Sequence, residues 1–435
     1  MSAKPRSHSS IVILGAGLTG MSAALHLKMA GARYRIFERQ RHAGGHATTH
    51  QDDGYRFDKT GHLMHLRDPE MRALVMKWVG HDSVTVNRKS VIWTHGRYTR
   101  YPFQANTYGL PPEVAYECLM GFIKAQQTAG SAAPKNFEEF CSVHFGEGIS
   151  KHFMIPYNAR LWGVHPSEIT ADWCARFVPM PKMEDVVAGA VGMNDRELGY
   201  NTSFLYPRLG IGELPKAMAL ELPEIEYNKA PTHVNASAKE LHFADEIVTY
   251  DTLITTAPLK AFCEHVQDAP EHVQNASAKL RCNSLQYLDV AASVPSGTEH
   301  HWVYVPEAKY PMYRLGCYSH FSAAMAPAGG SCFYVELADR AAPDLSVVVP
   351  QVAAALVEMG ILGKPTDIAF VKSRRIEHAY VVFDHDYFGA LDAITPYLAD
   401  NRIVSAGRYG AWNYSSMEDA LIFGRDAAKS ALAYV

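Results

Sequence analysis

The stretch that decides the fold spans residues 11–27 and has the sequence IVILGAGLTGMSAALHL. Four apolar residues precede the pattern Gly15-x-Gly17-x-x-Gly20, and an Ala-, Leu- and Met-rich segment with helical spacing follows it. This order predicts a buried strand, a tight turn and a helix. Gly15 permits the turn, Gly17 lets a pyrophosphate approach the backbone, and Gly20 lets the helix pack closely on the strand. The stretch therefore predicts a dinucleotide site with its phosphates at the helix N-terminus.

A second predicted strand ends in Glu38, 18 residues after Gly20. Its carboxylate is placed to accept hydrogen bonds from a ribose. The alternative is an ordinary strand-turn-helix unit of another doubly wound domain. Residues 39–48, RQRHAGGHAT, then bring a second glycine pair, Gly44-Gly45. This pair resembles that of flavoprotein oxidases and their relatives, where it lies beside FAD, and simple NAD-binding Rossmann enzymes usually lack it. We therefore expect FAD.

The composition excludes several classes of protein. The 435 residues suggest two or three domains, and 48% apolar with 20% charged residues allow a sizeable core. A net charge of −4 without long basic runs argues against a nucleic-acid partner. Seven scattered cysteines without CxxC spacing indicate reduced thiols in a cytoplasmic protein, with neither a disulfide frame nor a metal site. The apolar stretch 345–362 is interrupted by Pro350 and Glu358, so no membrane span is expected.

The order of the patterns predicts an α/β fold, in which a Rossmann-type FAD-binding domain carries an inserted helical domain and an antiparallel β-sheet domain. Helical spacing dominates residues 111–164, alternating strands dominate 283–380, and a strand, a glycine bend and a helix close the chain. We assign 1–100, 191–275 and 391–435 to the FAD-binding domain, 101–190 to the helical insertion and 276–390 to the substrate sheet. Residues 247–256, IVTYDTLITT, predict a strand pair.

Two side chains have both a functional and an ordinary interpretation. His62 lies on a short loop after Gly61, where it could hydrogen-bond a flavin or simply be solvated. Arg176 lies among Trp173, Phe177 and Val178, where it could extend past apolar neighbours to solvent or receive an anion. The local pattern alone leaves both cases open.

Eight short motifs or single residues follow one another in a specific order along the chain. They are Gly61-His62, YPFQ at 101–104 followed by LPPE, PYN at 156–158 with Trp162, Arg176, Asn201 before FLYP, the pair Tyr304 and Arg314, Tyr380, and GRYG-x-W-x-Y at 407–414. In this order they resemble the UDP-galactopyranose mutase family nearly from end to end.

The resemblance implies an isomerase that interconverts pyranose and furanose forms of a nucleotide sugar, most simply UDP-galactose, with no net redox change. In that family N5 of reduced FAD attacks the anomeric carbon and displaces the nucleoside diphosphate. The flavin–sugar adduct opens through an iminium and recloses on another hydroxyl, and the diphosphate then returns to the anomeric carbon and releases N5. NADPH or NADH is the expected reductant. Segments after His62 and Tyr380 differ from the family pattern, which leaves the sugar and the base open. The sequence also leaves open whether the chain forms a homo-oligomer.

The resemblance also implies roles for individual residues. The catalytic set is His62, Arg176, Arg314 and Arg408. The cofactor-binding set is Gly15, Gly17, Gly20, Glu38, Gly44, Gly45, Gly61, Arg408 and Met417. The substrate-binding set is Phe103, Gln104, Tyr157, Asn158, Trp162, Arg176, Asn201, Tyr304, Arg314, Tyr380, Arg408 and Tyr414. Arg314 and Arg408 would clamp the diphosphate, and Phe103 would stack on the base.

Two other functions share the same FAD frame. An oxidoreductase of the amine-oxidase or protoporphyrinogen-oxidase type would line its site with apolar and aromatic residues, without two converging arginines. A non-catalytic flavoprotein scaffold would bind FAD but have no ligand-sized cleft beside it. The positions of Arg314 and Arg408 separate these possibilities.

Overall fold

The computed structural model describes residues 4–128, 133–174, 178–193 and 202–435. Across these ranges the chain forms two main sheets with helices packed around them. Residues 112–190 contribute a mainly helical segment. The predicted α/β class is confirmed. The seven cysteines are free thiols, and six of them are buried.

The first sheet carries the glycine-rich turn. In the described part of the chain it comprises six strands, which in spatial order are Tyr34–Phe37, Arg6–Leu14, Ile247–Thr255, Glu240–His242 and His233–Asn235, with Ile403–Ser405 also paired to Ile247–Thr255. Tyr34–Phe37, Arg6–Leu14, Ile247–Thr255 and Ile403–Ser405 run parallel, and Glu240–His242 and His233–Asn235 form an antiparallel edge. The predicted strand pair at 247–256 is wrong. Ile247–Thr255 is one continuous strand because its whole length pairs with Arg6–Leu14.

The decisive stretch folds as predicted. Strand Arg6–Leu14 leads through Gly15, whose φ is +102°, into helix Leu18–Met29. A Cβ atom on Gly20 would lie 1.9 Å from the carbonyl oxygen of Gly15, so only glycine allows this helix to pack so closely on the turn.

The second sheet is mostly antiparallel. Its seven strands within the described ranges are, in spatial order, Ile368–Val381, Cys282–Ala292, Ser331–Leu337, Met312–Cys317, Trp302–Tyr304, Ser90–Thr94 and Arg97–Arg100. Ser90–Thr94 runs parallel to Trp302–Tyr304. The division into five segments stays a prediction, although Ser90–Thr94 and Arg97–Arg100, assigned there to the FAD-binding domain, hydrogen-bond into this sheet.

Two short strand pairs and the helices complete the fold. The pairs are Thr49–Asp52 with Tyr55–Asp58, and Ser83–Asn87 with Ser203–Pro207. The main helices are Leu18–Met29, Pro69–Val79, Pro112–Thr128, Phe137–Ile149, Ile155–Trp162, Met183–Ala190, Glu213–Leu220, Leu259–His265, Glu271–Lys279, Leu345–Glu358, Tyr387–Asp400 and Met417–Leu432. Within the described ranges, no helix has the length and apolar character needed to cross a bilayer.

Candidate functional site

Two glycine turns abut at the end of the first sheet. The Gly44 N–H donates to the carbonyl oxygen of Ala16 at 2.8 Å, and a Cβ atom on Gly45 would lie 3.4 Å from the Cα of Gly17. Gly44 and Gly45 both have positive φ, +112° and +61°. The two turns therefore present backbone rather than side chains, which is the surface that a dinucleotide needs for close approach.

Glu38 is fixed beside the first turn. One carboxylate oxygen accepts the Ala16 N–H at 2.7 Å, and the other accepts the Gln40 N–H at 2.8 Å. The side chain is buried. Each carboxylate oxygen can accept a further hydrogen bond, so the position remains suitable for ribose hydroxyls.

Basic side chains lie beside the second glycine turn. The buried Nδ1 atoms of His46 and His62 have no hydrogen-bond partner among the described residues. Lys59 Nζ donates to the Gly45 carbonyl at 3.2 Å. Burial, together with the charge of Lys59, lowers the pKa of His46 to about 3. Burial and then the charge of Arg408 lower the pKa of His62 to about 4, so both imidazoles are neutral at pH 7.

These features fit a bound flavin dinucleotide. The glycine turns offer close backbone approach, and the unpartnered imidazole nitrogens offer buried hydrogen-bonding atoms that a polar cofactor would satisfy. Among the described side chains, no group of three His, Cys, Asp or Glu residues is placed to hold a metal ion. Of the other predicted cofactor residues, Gly61 lies against Tyr334, whose hydroxyl would be 2.6 Å from an added Cβ, and Met417 is buried in the core beside the first sheet.

Arg314 and Arg408 converge on one tyrosine. Arg314 Nη2 donates to the Tyr380 hydroxyl at 2.7 Å. The Arg408 guanidinium carbon lies 5.5 Å from the centre of the Tyr380 ring and 4.7 Å from that of the Tyr414 ring. The Tyr380 and Tyr414 rings stack with their centres 6.0 Å apart. We call these four residues, with Trp162, the arginine–tyrosine cluster.

Arg314 is held by a buried acid. Its Nε and Nη2 donate to the two carboxylate oxygens of Glu336 at 2.8 and 2.7 Å, and Glu336 is fully buried. Burial alone would lower the pKa of Arg314, but the charges of Glu336 and of the surrounding tyrosines together outweigh burial and raise the pKa. Nη1 remains without a hydrogen-bond partner among the described residues. The ion pair therefore orients the guanidinium and leaves one nitrogen for a ligand.

Arg408 has no such acid. Its Nη1 and Nη2 donate to the main-chain carbonyls of Ser415 and Ala379 at 2.8 and 3.2 Å. No carboxylate in the described part of the chain lies within ion-pair distance of this half-buried guanidinium. An arginine held by neutral carbonyls and tyrosine rings keeps its full positive charge available to an anion.

The helix Ile155–Trp162 brings further predicted residues to the cluster. The Trp162 ring lies 5.8 Å from the Tyr380 ring and 6.1 Å from the Tyr414 ring, and its buried Nε1 has no partner among the described residues. Tyr157 packs edge-on against Tyr304 at 5.4 Å. Asn158 is buried and donates to the carbonyl of Met154, the residue that precedes the helix, at 2.7 Å, so it supports the start of the helix.

Two predicted substrate residues, Phe103 and Gln104, are not brought to this cluster. Phe103 is fully buried, with its ring stacked on Phe153 at 5.1 Å, and the buried Gln104 donates to the Pro179 carbonyl at 2.8 Å. Their base-binding role stays a prediction. Arg176 and Asn201 lie outside the described residues.

Comparisons with known proteins agree with this geometry. The model of the NAD(P)-binding Rossmann-like domain matches residues 13–78. A solved structure of reduced UDP-galactopyranose mutase superposes with a TM-score of 0.92 at 26% identity, and the match covers 98% of this chain and 96% of that one. The chain has the fold of a UDP-galactopyranose mutase. The resemblance predicted from the motifs is thereby confirmed.

One relative and one further solved structure are also similar to this chain. The Klebsiella pneumoniae protein named "Probable UDP-galactopyranose mutase" is 25% identical over 179 residues, which is 38% of this chain and spans 44% of that relative's length. Wild-type putrescine oxidase bound to putrescine superposes with a TM-score of 0.67 at 15% identity, covering 99% of this chain and all of that one. This second likeness shows the fold alone.

Sequence reasoning missed several residues at the site. Glu336 lies in a strand of sequence SCFYVEL, and it meets Arg314 only because the two strands pair in that register. Arg88 donates to the Tyr304 hydroxyl at 2.8 Å, and its guanidinium carbon lies 4.9 Å from the centre of the Tyr101 ring. A charged residue within an otherwise apolar strand is a signal for Glu336, but its partner is set by tertiary pairing.

Proposed function

We propose that this chain is an FAD-dependent mutase that interconverts the pyranose and furanose forms of a nucleotide sugar, with UDP-galactose as the first candidate. The fold likeness to reduced UDP-galactopyranose mutase supports a flavin-dependent mutase. The observation that carries the proposal is the meeting of Arg314 and Arg408 at Tyr380. Such an arrangement suits a ligand with two adjacent anionic groups, as in a nucleoside diphosphate.

The charge distribution explains why a diphosphate suits the cluster. Glu336 neutralises Arg314, whereas Arg408 keeps an uncompensated charge. A diphosphate would therefore supply the missing negative charge, and it would accept hydrogen bonds from the free Nη1 of Arg314 and from the Tyr414 hydroxyl. Arginine forks hold the leaving diphosphate in place while the bond to the sugar breaks and reforms.

The remaining roles belong to the cofactor and to residues near the arginine–tyrosine cluster. When bound, the reduced flavin supplies the nucleophilic nitrogen N5. His62, neutral at pH 7, offers its unpartnered nitrogen to the flavin side of the site. Trp162, on helix Ile155–Trp162, packs against Tyr380 and Tyr414, and Tyr157 on the same helix packs against Tyr304. We keep Arg176 and Asn201 as candidate contacts to the sugar, Phe103 and Gln104 as candidates for the base, and NADPH or NADH as the reductant.

An amine-oxidase type of oxidoreductase is the second candidate, because the chain also shares the fold of putrescine oxidase. A neutral, apolar site would suit that chemistry. Arg408 instead brings an uncompensated positive charge to the arginine–tyrosine cluster, and an amine substrate is cationic at neutral pH. Like charges oppose such binding, which favours the mutase.

The test is turnover of UDP-galactofuranose by dithionite-reduced protein, followed by chromatography and compared with the oxidised protein. Conversion to UDP-galactopyranose only after reduction is the expected result. Tight UDP binding without conversion would redirect the proposal to another nucleotide sugar. Neither binding nor conversion would overturn it in favour of the oxidase.

A matched pair of variants tests the arginine assignment. Arg408→Gln should weaken UDP binding roughly tenfold to hundredfold, because a hydrogen bond to a charged group contributes about 1.5–3 kcal/mol. Arg402 is the control, since it also donates to a carbonyl and lies over a tyrosine ring, that of Tyr434, but is exposed at the surface. Arg402→Gln should leave UDP binding unchanged. Equal effects of the two variants would refute the clamp.

A further inference from the structure

The helix Ile155–Trp162 ends against the second sheet with its last carbonyls satisfied by side chains. Gly163, with φ +70°, terminates the helix, which leaves the carbonyls of residues 160–162 without intrahelical partners. Arg340 Nη2 donates to the carbonyls of Arg160 and Leu161. Asn283 Nδ2 donates to those of Leu161 and Trp162 at 3.0 and 2.9 Å.

The amide oxygen of Asn283 has a partner of its own on a neighbouring strand. Its Oδ1 accepts the main-chain N–H of Tyr380 at 2.9 Å. Asn283 pairs with Tyr380 across the sheet, and the register shifts between Asn283 and Leu285. This irregularity leaves the Tyr380 N–H bonded to the asparagine side chain. One amide therefore joins the main chain of Trp162 to the main chain of Tyr380.

We propose that Asn283 is a positioning residue of the nucleotide-sugar site, which sets the spacing between Trp162 and Tyr380. The two rings lie 5.8 Å apart, and the Tyr380 hydroxyl accepts from Arg314. A change at Asn283 is transmitted through Tyr380 to the diphosphate clamp, although Asn283 touches neither arginine in any contact described above. This inference rests on the proposed function and names a residue that acts through its neighbours.

The chain offers a matched control in Asn401. Its Nδ2 donates to the Tyr397 carbonyl at 2.8 Å and so caps the end of helix Tyr387–Asp400 outside the arginine–tyrosine cluster. Asn283→Ala and Asn401→Ala each remove a helix-end amide, so both should lower the thermal midpoint. Only Asn283→Ala should raise the UDP dissociation constant and the KM for UDP-galactofuranose, by roughly tenfold, while FAD stays bound.

Asn283→Asp separates the contribution of the donor, Nδ2, from that of the acceptor, Oδ1. It keeps the acceptor for the Tyr380 N–H, but it loses the donor and places a charge against two carbonyls. It should therefore keep the orientation of Tyr380 and disturb that of Trp162, giving a UDP affinity between those of the wild type and Asn283→Ala.

Near-UV circular dichroism of the holoprotein without substrate decides the geometry independently of activity. Asn283→Ala should alter the aromatic signal, because Trp162, Tyr380 and Tyr414 pack together, and Asn401→Ala should leave it unchanged. An unaltered spectrum with wild-type UDP affinity in Asn283→Ala would overturn the proposal, as would equal effects of both variants on binding. If the wild type neither binds nor converts UDP sugars, the proposed function fails. The spectrum still decides whether Asn283 positions the two rings.

Discussion

Replacing Arg314 with methionine should destabilise the protein because it strands a buried charge. Both oxygens of Glu336 accept hydrogen bonds from Arg314, and Glu336 has no exposed side-chain surface. Removing one partner of such a buried pair costs about 3–5 kcal/mol. The Tyr380 hydroxyl also loses its donor, so the upper half of that range is expected.

Neutralising the acid should recover part of this loss. In Arg314→Met with Glu336→Gln, a buried amide replaces the buried carboxylate, and an unsatisfied neutral polar group costs about 1–3 kcal/mol. The double variant should therefore be about 2 kcal/mol more stable than the single variant. Urea unfolding monitored by circular dichroism, with midpoints and slopes compared, measures this difference.

The same two variants separate stability from function. Both lack the Arg314 guanidinium, so both should lose UDP affinity even though their unfolding free energies differ. The reasoning is refuted if the single variant is as stable as the wild type, or if the double variant is no more stable than the single one. Retained UDP affinity in the double variant would remove Arg314 from the clamp.

Three further outcomes are expected. The His301 Nδ1 accepts the Lys89 N–H, and burial lowers the pKa of His301 to about 4. As pH falls from about 6.5 to about 4, only the unfolded chain takes up that proton, so the wild type should lose up to about 1.4 kcal/mol of stability per pH unit relative to His301→Asn. Urea unfolding of both proteins at about pH 7 and about pH 5 measures this difference, and equal losses of stability in the two proteins would contradict the assignment. Gly15→Ala should lower the unfolding midpoint and the flavin absorbance of purified protein, because the new Cβ would lie 2.2 Å from Thr256 Oγ1 at a φ of +102°, and full flavin content would contradict this. Lys59→Met should weaken FAD binding to the apoprotein roughly tenfold in a fluorescence titration, since it removes a charge beside the second glycine turn, whereas unchanged affinity would place Lys59 outside the cofactor site.

Local chemistry explains why the nucleotide-binding turn could be predicted. Gly15, Gly17 and Gly20 act within one strand-turn-helix unit, and their spacing alone specifies a turn that larger residues would block. Glu38 follows at the end of the next strand and is found beside that turn. Each of these inferences depends on residues close together in the chain.

Long-range pairing explains what could not be predicted. Residues 247–256 were predicted to form two strands, yet the segment pairs as one strand with Arg6–Leu14. Glu336 faces Arg314 only through the register of two strands. In each case the deciding contact joins segments whose alignment no local pattern encodes.

The strand order of the first sheet also constrains how the chain can fold during synthesis. Strand Ile247–Thr255 lies between Arg6–Leu14 and Ile403–Ser405, so the sheet is completed only after residue 405 has left the ribosome. Until then, one edge of Arg6–Leu14 and later one edge of Ile247–Thr255 remain open to pairing with other chains. Such long-range closure is slow and leaves aggregation-prone strand edges exposed while the chain is being made.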